Sequence, residues 1–110
     1  MTTQWTLVCK QADLVANAGV AAMVNNEQVA LFYLPESENK VFAIANWDPI
    51  GKANVLSRGL TAHLQGEWVV ASPLYKQHYI LSSGECLEED ICLPHWKAKL
   101  DGDDVYIAEH

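Results

Sequence analysis

The chain has 110 residues, of which 50% are hydrophobic and 19% are charged, a composition typical of one globular domain and not of a disordered chain. Its 14 acidic residues outnumber its 7 basic ones, so the formal net charge is -7 at pH 7. A chain of that sign repels phosphate groups, which argues against nucleic acid and anionic membranes as partners. We expect residues 1–110 to form a single domain.

The first residues and the cysteines indicate the compartment. Residues 1–5 lack the basic start and the apolar stretch of a secretory signal, and the longest apolar runs are only as long as a strand. The three cysteines, Cys9, Cys86 and Cys92, are an odd number without a C-x-x-C spacing. We therefore expect reduced thiols in a cytoplasmic protein.

Short β-prone segments follow one another along the chain without a long helical pattern between them. A first strand is predicted at residues 5–9, and residues 13–15 suit a helical turn or a loop. Further strands are predicted at residues 20–24, 28–34, 41–45, 68–71, 78–81, 85–87, 96–100 and 105–108. Turn signals at residues 25–27 and 101–103 predict that the first two and the last two of these form hairpins. Prolines and glycines break the pattern from Trp47 to Gly66, which predicts a long irregular loop. The expected fold class is all-β, an antiparallel sandwich or barrel.

Three segments, taken in order, resemble a Rieske domain. They are Phe42 to Ile50 (FAIANWDPI), Leu56 to Gly59 (LSRG) and Ala71 to Tyr75 (ASPLY). In that family a strand runs into a Cys-x-His loop, a Leu-Ser-x-Gly segment follows, and a second loop carries Cys-Pro-x-His. The resemblance implies a Rieske-like β-sandwich or barrel with a smaller, loop-rich sub-structure at the tip where the two loops lie side by side.

The four positions at which such a domain holds its iron-sulfur cluster carry other residues in this chain. Asp48 and Ile50 stand where the Cys and His of the first loop would be, and Ser72 and Tyr75 replace those of the second. A Rieske centre needs two thiolates and two imidazoles, which carboxylate, hydroxyl and hydrocarbon groups do not replace. We therefore predict a vestigial site without a cluster, and no metal or catalytic residue in this chain.

A Rieske-like chain of this length without cluster ligands is similar to the small subunits of assimilatory NAD(P)H-dependent nitrite reductases, and the likeness spans nearly the whole sequence. The resemblance implies a role in nitrate assimilation, in a cytoplasmic complex that reduces nitrite to ammonium. It also implies that a large subunit carries FAD, siroheme and an iron-sulfur cluster, and that this chain is a non-catalytic partner of that subunit.

Other interpretations of the residues stay open at this point. Cys92 and His95 have a C-x-x-H spacing, and with Cys86 and His78 they could supply four zinc ligands if the fold brought them together, although strand alternation is expected to scatter them. A Rieske-type electron-transfer ferredoxin and a stand-alone β-sandwich binding module are the alternative functions.

Apolar, aromatic and basic side chains gather in and beside the two tip loops. They are Trp47, Ile50, Leu74, Tyr75, Lys76 and His78. Such a composition is typical of a protein interface, and we predict that this region contacts the partner. Alternatively, or in addition, Ile50 and Tyr75 fill the volume that a cluster would occupy. We also expect the Tyr75 hydroxyl to donate a hydrogen bond to Asp48, because an unpaired buried polar group costs about 1–3 kcal/mol.

Overall fold

The computed structural model describes residues 4–74 and 76–108, which form twelve short β-strands and two 3-10 helices. The strands are β1 (Trp5–Lys10), β2 (Ala18–Val24), β3 (Glu27–Tyr33), β4 (Val41–Ala45), β5 (Trp47–Asp48), β6 (Ala53–Asn54), β7 (Leu60–Leu64), β8 (Glu67–Ala71), β9 (His78–Ile80), β10 (His95–Trp96), β11 (Ala98–Asp101) and β12 (Asp104–Ala108). The all-β fold class predicted from the sequence is confirmed.

Two strands, β3 and β4, lie at the centre of the fold and are buried on both faces. In β3, Val29 and Leu31 join one apolar cluster, whereas Ala30 and Phe32 point the opposite way and join another. Burial on both faces explains why these strands are continuous apolar runs and not alternating ones. Both belong to the antiparallel sheet β10-β4-β3-β2.

One of the two clusters is closed by the sheet β1-β12-β11, which contributes Val105 and Ile107. The chain enters this sheet at Lys97, because Trp96 pairs with Ala43 of β4 whereas Ala98 pairs with Ile107 of β12. The hairpin predicted between residues 96–100 and 105–108 is confirmed from Ala98 onward, whereas Trp96 belongs to a separate strand. The segment is two short strands in two different sheets.

The second cluster is closed by the sheet β7-β8-β9, from which Val70 and Tyr79 point inward. Between β9 and β10 the chain adds isolated bridges to this sheet, Tyr79 with Cys86 and Glu85 with Cys92. The sequence predicted a strand at residues 85–87 in this segment. These bridges extend the sheet sideways and bring the buried Leu93 against the cluster.

The prediction of a long irregular loop from Trp47 to Gly66 is wrong for most of this stretch. Strands β5, β6 and β7 lie in this stretch, and β7 pairs with β8 over its full length from Leu60 to Leu64. β7 is an edge strand whose residue Leu60 is 80% exposed, so its side chains lack the alternation that marks a half-buried strand. Regular backbone pairing formed here without the usual hydrophobic pattern.

Two hairpins turn on pairs of residues with left-handed backbone. Asn25 and Asn26, with φ of 50° and 67°, connect β2 to β3 and confirm the hairpin predicted there. Gln65 and Gly66, with φ of 54° and 81°, connect β7 to β8. Two such residues in succession give the turn whose twist matches that of the strands.

The helical segments of the described chain are single 3-10 turns at Gln11–Asp13 and Leu56–Arg58. The first lies two residues ahead of the turn predicted at residues 13–15. The second packs against β2, where Gly19 leaves room for the backbone of Ser57. Within residues 4–74 and 76–108 there is no helix of the length and apolarity needed to cross a membrane.

The bridged segment beyond β9 depends on Gly84. Its φ is +78°, and a Cβ atom at this position would collide with the carbonyl oxygen of Leu93. We expect Gly84→Ala to lower the free energy of unfolding by about 2–4 kcal/mol, from backbone strain plus overpacking. Gly102→Ala is the matched control, because Gly102 has a φ of +62° with open space around it and should lose only about 1 kcal/mol. Urea unfolding measures both, and equal losses would contradict the collision.

Candidate functional site

Two turns, which begin at Asp48 and Ser72 and end at Lys52 and Lys76, correspond to the two tip loops of the sequence and are together called the tip. Within the second turn, Tyr75 is outside the described residues. The two turns have the same hydrogen-bond pattern. The Lys52 backbone N–H donates to the carbonyl of Asp48 at 2.7 Å, and the Lys76 N–H donates to the carbonyl of Ser72 at 3.0 Å. Each turn is thus closed between its first and its fifth residue.

The side chain at the start of each turn also accepts hydrogen bonds from the turn itself. Asp48 Oδ1 accepts from the N–H groups of Ile50 and Gly51 at 2.9 and 3.1 Å. Ser72 Oγ accepts from the N–H of Leu74 at 3.3 Å. Asp and Ser favour such positions because their short side chains mimic a backbone turn.

A hydrogen bond between these two side chains joins the turns. Ser72 Oγ donates to Asp48 Oδ2, and the two residues are 1% and 0% exposed. The carboxylate of Asp48 therefore receives three donors, which compensate for its removal from water. From the sequence, the Tyr75 hydroxyl was the expected donor. Tyr75 lies outside the described residues, so that hydrogen bond stays a prediction beside the observed one.

The turns also contact each other through apolar groups. A Cβ atom on Gly51 would overlap the Leu74 side chain, so glycine is needed for the turns to approach this closely. Ile50 is half-buried. Packing and hydrogen bonding together leave Asp48 and Ser72 sealed under the surface of the tip.

The outward face of the tip and its surroundings differ from this sealed interior. Trp47 and Leu74 are 46% and 48% exposed, and Lys76 is exposed as well. His78 is half-buried, and its Nδ1 lies 2.6 Å from Oε2 of Glu88. The predicted contact residues among the described ones are therefore accessible at the tip, except that His78 already has a partner.

The four residues considered for a zinc site do not converge, although His78 and Cys86 both contact the carboxylate of Glu88. Cys86 packs against the second cluster, Cys92 is exposed, and the pairing of Glu85 with Cys92 puts the two thiols on opposite faces of the bridged segment. Among residues 4–74 and 76–108, there is no group of three or more His, Cys, Asp or Glu that could hold a metal ion.

Tyr79 is a notable residue of the tip region that the sequence analysis missed. It is 0% exposed, and its hydroxyl has no hydrogen-bond partner in the part of the chain that the structure describes. Burial, followed by the negative charge of Asp48, raises the pKa of Tyr79 from 10.0 to about 12. In the sequence Tyr79 is one strand residue among several, and nothing distinguishes it.

A [2Fe-2S] cluster does not fit the donors present at the tip. Asp48 and Ser72 offer oxygen atoms that are already bonded to each other, and Ile50 offers no donor atom. The cysteines lie at positions 9, 86 and 92, outside both turns. A Rieske centre requires thiolate and imidazole donors at these places, and the chain supplies neither at the three positions described.

The chain matches the Rieske-like [2Fe-2S] domain family over residues 4–108. It is 46% identical over 99 residues to the nitrite reductase (NADH) small subunit of Escherichia coli, covering 89% of this chain and 91% of that protein. The NMR structure of the E. coli protein NirD superposes with a TM-score of 0.86 at 42% identity and covers 98% of each chain. A 105-residue stretch of the nitrite reductase [NAD(P)H] large subunit of Klebsiella oxytoca is 35% identical, spanning 94% of this chain but 11% of that protein.

The fold and the tip define a Rieske-like domain that lacks the donors for a cluster. The chain belongs, within the Rieske-like family, to the nitrite reductase small subunits. The resemblance seen in the tip segments and the Leu-Ser-x-Gly motif is thereby confirmed.

The bond between the turns can be tested by Ser72→Ala. Without the hydroxyl, a buried carboxylate loses one of its three donors, and we expect the free energy of unfolding to fall by about 1–3 kcal/mol. Ser82→Ala is the control, because Ser82 is exposed and should change stability by less than about 0.5 kcal/mol. Chemical denaturation measures both variants. A Ser72→Ala protein as stable as the control would show that the bond contributes nothing.

Because the Tyr79 hydroxyl has no partner among the described residues, Tyr79→Phe is expected not to destabilise the protein. The substitution removes a buried polar group without breaking a hydrogen bond, so stability at neutral pH should stay unchanged or rise by up to about 1 kcal/mol. Tyr33→Phe is the control, because the Tyr33 hydroxyl accepts a hydrogen bond from Gln11 at 2.9 Å and its loss should cost about 1 kcal/mol.

Tyr79→Phe also tests how stability depends on pH. The raised pKa means that native Tyr79 keeps its proton up to about pH 12, whereas an unfolded tyrosine releases it near 10.0. The contribution of this pKa difference to the free energy of unfolding is fully present below pH 10 and is lost as the pH rises toward 12. Tyr79→Phe should therefore lose less stability than wild type across this range, measured by urea unfolding; identical pH profiles would contradict the assigned pKa.

Proposed function

We propose that this chain is the non-catalytic small subunit of a cytoplasmic NAD(P)H-dependent nitrite reductase, which reduces nitrite to ammonium for nitrogen assimilation. Residues 1–110 act as a single Rieske-like domain that docks on a large subunit and supports it. FAD, siroheme and an iron-sulfur cluster belong to that large subunit in this proposal, and this chain contributes no redox group.

The observation that carries the proposal is the sealed pair of Asp48 and Ser72. The two turns that present a cluster in a Rieske domain are here closed on each other by a hydrogen bond between buried side chains. A six-electron reduction such as nitrite to ammonium needs redox groups, and side chains of this kind cannot take their place. The division of labour between two subunits follows from that requirement.

The relatives support a large subunit as the partner. The E. coli relative is a nitrite reductase small subunit by name, so it works beside another chain. In the Klebsiella oxytoca protein, a stretch similar to nearly all of this chain is part of the large-subunit polypeptide itself. A domain that exists both as a separate chain and as a segment of its partner is expected to sit on that partner's surface.

We infer that the docking surface is the tip, where Trp47 and Leu74 are about half exposed. A half-exposed tryptophan on a strand next to a turn fixed by internal hydrogen bonds presents a large contact area at little cost in conformational entropy. Leu74, Lys76 and the neighbouring Tyr75 and His78 complete the proposed contact, with Ile50 supporting it from below.

Docking through the tip can be tested by Trp47→Ala. We expect the amount of large subunit that co-purifies with the chain to fall about tenfold or more, as for an interface hot spot, while the isolated chain keeps its melting temperature. Leu7→Ala is the control, because Leu7 is 52% exposed on β1 in the separate β1-β12-β11 sheet and should change binding by less than about twofold.

Two results would contradict the proposal. Full co-purification by Trp47→Ala would remove the tip as the docking surface. Iron and acid-labile sulfide in stoichiometric amounts in the purified chain would show that it is an electron-transfer ferredoxin instead.

A further inference from the structure

We propose that the tip recognises an acidic, apolar-centred surface of the large subunit, and that Lys52 and Lys76 are the paired cations that bind it. This inference rests on the proposed function, in which the tip docks on that subunit. It adds the chemistry of the partner surface and a residue, Lys52, that the sequence analysis did not consider.

The two lysines occupy equivalent positions in two equivalent turns. The turn sequences are Asp-Pro-Ile-Gly-Lys and Ser-Pro-Leu-Tyr-Lys, and a lysine ends each of them. Lys52 and Lys76 both have left-handed backbone, with φ of 56° and 63°. Because the turns are joined by the bond between Asp48 and Ser72, the pair is held on one rigid frame.

Both lysines are exposed, and no ion pair to either is found among residues 4–74 and 76–108. Two of the other basic residues have charged or aromatic partners, whereas Arg58 and Lys97 are exposed like the two tip lysines. Lys10 pairs with Asp104, and the ammonium group of Lys99 lies 4.4 Å from the ring centroid of Trp5. The tip therefore presents charge that is available to a partner.

The two turns themselves carry a net positive charge at the surface of an acidic protein, and the acidic residue next to them, Glu88, is paired with His78. The turns hold two of the seven basic residues and one of the fourteen acidic ones, and that acid, Asp48, is 0% exposed. Elsewhere five basic residues face thirteen acidic ones. An acidic partner is repelled by most of this surface and attracted by the tip, so charge alone orients the encounter.

Exposed apolar groups in and beside the same turns indicate that the centre of the partner surface is apolar. Trp47 immediately precedes the first turn, and Leu74 lies in the second, where it packs on Gly51. Interfaces with apolar anchors inside a charged rim combine burial at the centre with charge pairing at the edge. The surface that fits this tip has an apolar depression bordered by Asp or Glu.

The test is the rate of association with the purified cognate large subunit, measured by surface plasmon resonance over a range of salt concentrations. For Lys52→Glu/Lys76→Glu we expect the association rate constant to fall about tenfold or more at about 50 mM salt. The difference should shrink to about threefold or less at about 500 mM, where charges are screened within a few ångströms.

Two further variants, which each lower the net charge by two, separate the position of the charge from its amount. Lys97→Glu reverses an exposed lysine between β10 and β11 and should stay within about twofold of wild type. Lys52→Gln/Lys76→Gln removes the two charges without reversing them and should give an intermediate loss. Thermal unfolding of each variant shows whether the fold is kept.

The outcomes are distinct. Loss with the tip variants alone, reduced by salt, supports the acidic partner surface. Association unaffected by the tip reversals, or equally affected by Lys97→Glu, overturns it while leaving the proposed function in place. A wild-type chain that does not bind the large subunit at all removes the proposed function itself. If sedimentation shows that the chain pairs with its own copy and that the tip reversal abolishes this pairing, the occupant is a second copy and the inference is overturned.

Discussion

The hydrogen bond from Ser72 to Asp48 is the interaction on which the tip of this protein depends. Each of its partners begins a turn, and each also accepts backbone N–H groups from its own turn. The bond therefore couples two local structures that are far apart in sequence. Since both residues are buried, its loss would leave a carboxylate without full compensation, and the apolar contact of Gly51 with Leu74 would remain to join the turns.

A Rieske centre holds its two loops together by placing a cluster between them, and this chain reaches a similar arrangement with side chains alone. The close approach of Gly51 to Leu74 fills the space between the turns with protein atoms. Joining the turns by side chains in place of a cluster changes the role that the tip is suited to. It keeps a rigid surface carrying Trp47, Leu74 and two lysines, and that surface is suited to binding another protein.

Much of the fold was predictable because the central strands have strong local signals. The apolar runs of β3 and β4 and the Asn-Asn turn between β2 and β3 indicated their structures directly. β7 was missed because an edge strand with exposed residues on both faces has no hydrophobic period. The division at Lys97 was missed because a change of sheet leaves the local sequence equally β-prone on both sides.

The tip shows the same limit for site residues. The resemblance drew attention to Asp48 and Ser72, but nothing in the sequence indicated the hydrogen bond between them. The hydrogen bond expected from Tyr75 to Asp48 stays a prediction. The observed pairing depends on the side-chain direction at the first position of each turn, which no spacing rule supplies. The unpaired hydroxyl of Tyr79 was hidden for a similar reason, since partners are known only once the strands are assembled.

The self-contained closure of the tip has a consequence for how the subunit is made in the cell. A domain whose loops meet around a metal cluster is finished only after iron and sulfide have been delivered to it. Here the groups that join the turns are already present in the newly synthesised polypeptide. The two turns can therefore close on each other independently of iron supply and of exposure to oxygen.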